Sequence, residues 1–232
     1  ADGEVHKRGK YEFQVDTYGS SLPSEIVSSV ANLPFRVCGM MEAHVRGKGN
    51  ENSKSLSGTI AVRNGAVHNV DFELLSGLFS VVNGVVSFEQ LALTSSDKFK
   101  ITAKGGIAID PEKQNSFRLS GDIIDLKILS KLVPEIDNSA GDANIVFALE
   151  GTGYNPVING RIDINDGRIS AKKYIEPINN LNICILANDN IISIENANGR
   201  MGDAVFDIGG QMVFSGLQSP DAIHLRLTTG GK

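Results

Sequence analysis

The chain has 232 residues, 41% hydrophobic and 21% charged, with a net charge of −5. That composition describes a folded chain long enough to bury a core or line a cavity, and the acidic balance with scattered lysines and arginines argues against the basic face of a nucleic-acid binder. No apolar run approaches the roughly 20 residues that cross a bilayer, and the opening ADGEVHKRGK lacks the apolar centre of a signal peptide. An anchor or export signal is therefore expected to have been removed or never to have been part of this sequence.

In chain order, LPSEIVSSVAN (22–32), with Pro23 in its first turn and Pro34 beyond its end, predicts a short helix. FRVCG then reads as a strand. GTIAVRNG (58–65), GLFSVVNG (77–84) and GRIDINDG (160–167) share one pattern: glycine, any, apolar, any, apolar, any, Asn or Asp, glycine. A type I′ turn needs positive φ at both central residues, which Asn-Gly and Asp-Gly tolerate best, so the three copies predict a repeated hairpin. The third copy also crowds acidic and amide groups together, which raises calcium as an alternative. Asp163 and Asn165 alternate, but Asp166 follows at once and Gly167 comes a residue too early for an EF-hand-type loop.

KFKITAKG shows the strand pattern most clearly, with Phe99, Ile101 and Ala103 on one side and Lys98, Lys100, Thr102 and Lys104 on the other. DLKILSKLV (125–133), stopped by Pro134, predicts a second short helix. Asp125 is its N-cap, and Leu126, Leu129, Leu132 and Val133 share a face that could plug an apolar edge. NIVFALEG, LNICILAN, IISIEN, AVFDIGGQMVF and IHLRLTT continue the alternation. Counting alternation and turn signals gives about sixteen strands. At about 4.8 Å per strand these would extend roughly 75 Å, too long to stay flat and open.

Alternation gives each strand one dry face and one wet face, so something must cover the apolar side. A second sheet, winding of the chain on itself, or a ligand in a trough would each do so. Aliphatic side chains dominate, aromatics are only 6% and tryptophan is absent, which suits a smooth channel for acyl chains. The positions expected to point inward are Ile60, Val62, Phe79, Val81, Phe99 and Ile101 in the first half. In the second half they are Phe147, Leu149, Ile162, Ile164, Ile183, Ile185, Ile194, Phe206, Ile208, Phe214, Leu225 and Leu227.

Catalytic signatures are lacking. No HExxH, GxSxG or Walker loop occurs, and Gly151-Thr-Gly153 starts like a dinucleotide fingerprint but runs into Tyr154-Asn155-Pro156 with no helix to follow. His6, His44, His68 and His224 are isolated, and nothing nominates a glycosidase-type carboxylate pair. The reading is of a non-enzymatic chain without metal or cofactor. Cys38 and Cys184 are far apart and show no metal-ligand spacing, which leaves a pair of apolar fillers or one long-range disulfide.

The stretch from 141 to 214 carries a resemblance. Leu149-Glu150-Gly151, Pro156-Val157, Gly160, Asp166-Gly167, then Ile178, Leu181, Ile183, Ile192 and Ile194, then Gly199 to Gly202 and Gly209-Gly210, resemble the repeating unit of the TamB and AsmA-like proteins of Gram-negative bacteria. Residues 56–110 look like a looser copy. The resemblance implies an all-β fold: a long, strongly curved, mainly antiparallel sheet forming a taco-like groove, here with two short helices. It implies an internal segment of a longer periplasmic protein anchored in the inner membrane. In that family the groove is thought to carry phospholipids towards the outer membrane, and an outer-membrane β-barrel protein is a partner through parts this chain does not display. Expected partners are therefore phospholipid acyl chains and no nucleic acid. The expected organisation is one continuous domain with N-terminal strands and helix at 1–55, a first hairpin-rich unit at 56–140 and a second unit at 141–232. The alternative is a structural or adhesive β-solenoid of an exported surface protein, which would need parallel rungs of regular length.

Overall fold

The computed structural model describes residues 2–4, 10–21, 37–50, 54–67, 70–96, 98–173, 176–214 and 220–230. The helix expected at 22–32 lies outside them. Fourteen strands follow one another: β1 (Asp2–Glu4), β2 (Lys10–Ser21), β3 (Val37–Asn50), β4 (Lys54–Val67), β5 (Val70–Val82), β6 (Val85–Ser95), β7 (Phe99–Ala108), β8 (Gln114–Asp125), β9 (Ile136–Thr152), β10 (Pro156–Ala171), β11 (Ile178–Asp189), β12 (Ile191–Met201), β13 (Ala204–Phe214) and β14 (Pro220–Gly230). Their order in the sheet is their order in the chain. The fold is thus all-β and antiparallel, as the glycine-punctuated alternation predicts, with fourteen strands among the described residues, where about sixteen were counted over the whole sequence.

The chain divides into two compact units: residues 1–96, 101–117 and 152–154, and residues 97–100, 118–151 and 155–232. The sequence-based limits fall inside strands, with position 56 in β4 and position 141 in β9.

The repeated hairpin motif resolves into two different structures. Asn83 and Gly84 both have positive φ (50° and 75°) and make the two-residue turn between β5 and β6, the geometry a type I′ hairpin requires. At the other two copies no reversal occurs. β4 runs straight through Asn64-Gly65 and β10 straight through Asp166-Gly167. There Asn64 and Asp166 have positive φ (47° and 51°), and the chain makes a bulge instead, with register shifts against the neighbouring strands at Asn165/Arg168 and Ile164/Gly167. The third copy, GRIDINDG, is thus neither a reversing turn nor an EF-hand-type loop. Its carboxylates are already engaged: Arg161 donates to Asp163 at 2.5 and 2.7 Å, and the Asn180 amide donates to Asp166 at 3.2 Å.

The same burial pattern recurs, at register shifts in β4, β6, β10, β11 and β12 and also in β8, and has a common effect. In Val62-Arg63-Asn64-Gly65, Phe88-Glu89-Gln90-Leu91, Gly121-Asp122-Ile123-Ile124, Ile164-Asn165-Asp166-Gly167, Ile178-Asn179-Asn180-Leu181 and Ile194-Glu195-Asn196-Ala197, the outer members of each quartet are more buried than the second of the middle pair. One extra residue in a strand shifts its side-chain parity. Each quartet spends two successive residues facing outward, so the apolar residues before and after it keep the same face. Ile123 is the exception to polar chemistry in these pairs: it is 70% exposed at φ 54°, and its amide is satisfied by the Asn144 side-chain oxygen at 3.0 Å.

Between β8 and β9 the chain forms a single helical segment, 3-10 over Leu126–Ile128 and α over Leu129–Leu132. Asp125 caps it, accepting from the Lys127 amide at 2.9 Å. The expected four-residue apolar face does not form, because the change from three to 3.6 residues per turn rotates the later side chains away. Leu126 is 2% exposed, whereas Leu132 and Val133 are 48% and 37% exposed.

Candidate functional site

In the first unit, pairing across β3, β4, β5 and β6 aligns residues into rows on one face: Met41–Val62–Leu75–Leu93, Ala43–Ile60–Gly77–Leu91, Val45–Gly58–Phe79–Phe88 and Gly47–Leu56–Val81–Val86. Every member is apolar or glycine. The opposite face carries Glu42, His44, Arg46, Ser57, Thr59 and Arg63.

In the second unit three rows cross six strands, β9 to β14. They are Ala143–Ile164–Ile183–Ala197–Ile208–Leu227, Ile145–Ile162–Ile185–Ile194–Gly210–Leu225 and Phe147–Gly160–Ala187–Ile192–Met212–Ile223. No charged or hydrogen-bonding side chain interrupts them. Directly opposed residues in an antiparallel pair project to the same face, so the rows form one continuous apolar surface. The other face carries an amide ladder, in which Asn182 donates to Asn198 at 3.2 Å and Asn198 to Asn196 at 2.8 Å.

Fifteen of the eighteen sequence-predicted inward positions lie on these faces. Ile60, Val62, Phe79 and Val81 are in the first unit's rows; Ile162, Ile164, Ile183, Ile185, Ile194, Ile208, Leu225, Leu227 and Phe147 are in the second unit's. Leu149 continues the second face opposite Ile158, and Phe206 opposite Gly199. Phe99 is 6% exposed, while Ile101 and Phe214 are half-buried. Burial is uneven along the faces. Val62, Ala197 and Ile164 are 5%, 7% and 9% exposed and pack as core, Ile60, Phe79, Ile183, Ile185 and Ile194 are half-buried, and Leu225 and Leu227 are 55% and 64% exposed because β14 ends the strand order.

Periodicity alone could not identify the glycines in the rows, since a glycine has no side chain to alternate. On and beside these rows, three glycines matter because phenylalanines lie across from them. Gly65 pairs with Phe72, Gly199 with Phe206 and Gly160 with Phe147. A Cβ on Gly65 would come within 2.4 Å of the Phe72 ring, and one on Gly199 within 2.8 Å of the Phe206 ring. The ring occupies the space a side chain would fill, the cross-strand arrangement known as aromatic rescue of glycine. The walls therefore gain aromatic area without rings standing up from them.

A separate concavity of about 400 Å3 lies in the first unit. Glu42, His44, Thr59, Ala61, Ser76 and Gln90 line it, and of the predicted positions only Ile60 reaches it. It opens mainly on the polar face, and Ile60 and Gly77 are the members of the apolar rows that also line it.

Cys38 and Cys184 are both free thiols, Cys38 exposed and Cys184 half-buried. Burial pushes the Cys184 thiol up from its ordinary range, with the nearby Arg161 guanidinium opposing and the Asp163 carboxylate adding to the rise. Asp163 is itself held below its usual range by the Arg161 hydrogen bond. Since the thiolate is the nucleophile, iodoacetamide at neutral pH should alkylate Cys38 well before Cys184 in the folded chain. Peptide mass mapping over time would show the order, and the difference should vanish in denaturant. Among the described residues no group of three or more His, Cys, Asp or Glu side chains is arranged to hold a metal ion.

Comparison with protein-family models, curated proteins and solved structures gave no match for this chain.

Proposed function

We propose that the apolar face of each unit, taken by itself, lines a groove that holds the acyl chains of phospholipids, and that the chain is a non-catalytic segment of a periplasmic conveyor between the inner and outer membranes. The observation that carries this reading is the set of three uninterrupted apolar rows across β9 to β14. Five inter-strand steps of about 4.8 Å give each row a length of about 24 Å, longer than the roughly 15 Å of one leaflet's hydrocarbon. Each methylene removed from water contributes about 0.8 kcal/mol. A row of near-equivalent aliphatic contacts holds a tail without a single deep minimum, so the tail can advance along it. The parent protein would be anchored in the inner membrane, would support outer-membrane biogenesis, and would meet an outer-membrane β-barrel protein through other parts. The resemblance of 141–214 to the TamB and AsmA-like repeat motivates these last points. The antiparallel pairing in chain order disfavours the β-solenoid, whose rungs are parallel.

The test is phospholipid retention by native mass spectrometry and by lipid extraction after purification from a bacterial host. The wild-type chain should carry phospholipid. Ile185→Asp places a carboxylate mid-row at a half-buried position, where water can still reach it in the empty protein, so the fold should survive while retention drops at least tenfold. Full retention by a folded Ile185→Asp chain would refute the groove.

A further inference from the structure

We infer that the turn at Asn83-Gly84 is a site of intramolecular deamidation, promoted by Lys113, at which the chain converts its own asparagine to aspartate and isoaspartate. The sequence contains four Asn-Gly pairs: Asn64-Gly65, Asn83-Gly84, Asn159-Gly160 and Asn198-Gly199. Glycine favours this chemistry because the attacking atom is its backbone nitrogen, which no side chain shields. Local sequence therefore offers four equal candidates, and the fold separates them. Three stand inside β4, β10 and β12, each of which has a neighbouring strand on both sides. The Asn159 side-chain oxygen accepts from the Asp189 amide at 3.4 Å, and the Asn198 amide is held between Asn182 and Asn196 at 3.2 and 2.8 Å. Gly65 is closed in by the Phe72 ring and the Cys38 carbonyl. Bringing the glycine nitrogen onto the asparagine Cγ requires rotation about the asparagine Cα–C bond, and in these strands that rotation would break the pairing.

Asn83-Gly84 lies beyond the last pair of its hairpin, Val82 with Val85, and Asn83 is exposed. Apart from its chain neighbours, a Cβ on Gly84 would meet the Lys113 Nζ at 3.7 Å and, among the described residues, no other atom within 4 Å. The loop between β7 and β8 brings that lysine in. Its Ile109 amide donates to the Gly84 carbonyl at 2.8 Å, its Lys113 amide donates to the Asp110 carbonyl at 3.0 Å, and the Lys113 ammonium donates to the Asn83 backbone carbonyl. That oxygen takes part in the reaction. When solvent base removes the Gly84 amide proton, amide resonance shares the negative charge with the Asn83 carbonyl oxygen, where the ammonium stabilises it. The nitrogen then bonds to the Asn83 Cγ, the Cγ–Nδ2 bond breaks, and ammonia departs with a proton from water, leaving a succinimide. Water opens the ring at either carbonyl, to aspartate or to isoaspartate, with no change of oxidation state. Either product adds one carboxylate beside Lys113 and takes the net charge from −5 to −6. Isoaspartate also inserts a methylene into the backbone of a turn whose geometry needs positive φ at both residues.

This inference stands on the first unit's turn alone and survives failure of the lipid reading. The full chain is kept folded at mildly alkaline pH and physiological temperature, and peptide mass mapping over time follows the four sites. Asn83 should deamidate at least about tenfold faster than Asn64, Asn159 and Asn198, a gap worth about 1.4 kcal/mol of barrier. In denaturant the other three should rise to the rate of Asn83. Lys113→Gln should slow Asn83 in the folded chain by about threefold to tenfold, the scale of one exposed charge-assisted hydrogen bond. Lys113→Arg, which keeps the charge, should restore the rate, and in denaturant the three lysine-position variants should be indistinguishable. Urea midpoints equal to wild type would show that neither substitution acts through the fold. Equal rates at the four sites in the folded chain, three sites that stay slow in denaturant, or an Asn83 rate indifferent to Lys113→Gln would each overturn the proposal.

Discussion

Gly105→Ala is expected to lower stability by about 2–4 kcal/mol, enough to abolish folding in a marginal chain. Gly105 in β7 has φ +106°, and a Cβ there would lie 1.8 Å from the Ser116 carbonyl oxygen and 2.9 Å from its carbon. Two costs therefore combine: a backbone region that side-chain-bearing residues rarely adopt, and a collision with backbone atoms of β8 that cannot rotate away. The adjacent Gly106 supplies the control. Its nearest neighbours would be side-chain atoms of Val85 and Ser87 at 3.1 and 3.2 Å, with no positive φ, so Gly106→Ala should cost under about 1 kcal/mol. Urea denaturation midpoints of the two variants, side by side, decide the matter. Equal midpoints would mean that the approach of β7 to β8 is not as close as described.

Leu126→Ala should cost about 2–5 kcal/mol, the range for truncating a fully buried leucine whose surroundings cannot collapse. Leu126 is seated by two neighbours in the second unit. The Ser139 hydroxyl, itself only 2% exposed, donates to the Leu126 carbonyl at 2.7 Å, and a Cβ on Gly167 would meet the Leu126 Cδ1 at 3.2 Å and the Ile164 Cγ2 at 3.0 Å. The same crowding predicts coupling. Gly167→Ala should destabilise the wild-type chain, yet cost measurably less in the Leu126→Ala background, where the added methyl finds the vacated space. A double-mutant cycle by thermal or urea unfolding reads this directly. Strict additivity would remove Leu126 from contact with Gly167. Ile164, in the same cluster, is a poorer probe of the groove than Ile185, because a charge at a 9% exposed position would unfold the unit before it could test lipid binding.

Local chemistry alone determined much of this protein. Short aliphatic runs with polar residues between them, broken by glycine and Asn-Gly or Asp-Gly pairs, made strands the favoured local state and antiparallel pairing the simplest connection. Alternation named Phe99, Ala103, Ile162 and Ile164 as one-sided positions, and the structure puts each of them on the less exposed side of its strand. The positive φ of Asn64, Asn83 and Asp166 was also local, since Asn and Asp tolerate that region better than other side-chain-bearing residues.

What only tertiary structure decided was the use made of that φ. At Asn83 the following glycine also turns to positive φ and the chain reverses. At Gly65 the Phe72 ring and the Cys38 carbonyl close in, and at Gly167 Leu126, Ile164 and the Leu181 carbonyl do so; these glycines are kept for contact, and the chain goes straight on through a bulge. Ile164 and Phe72 are near in sequence, but Leu181, Cys38 and Leu126 lie 14, 27 and 41 positions from the glycines they meet, so no window of local sequence contains the whole of either contact set. The same is true of the apolar rows. Each strand specifies its own alternation, but which alternate residue meets which is a property of register, and register is fixed by the bulges that add one residue and restore the face.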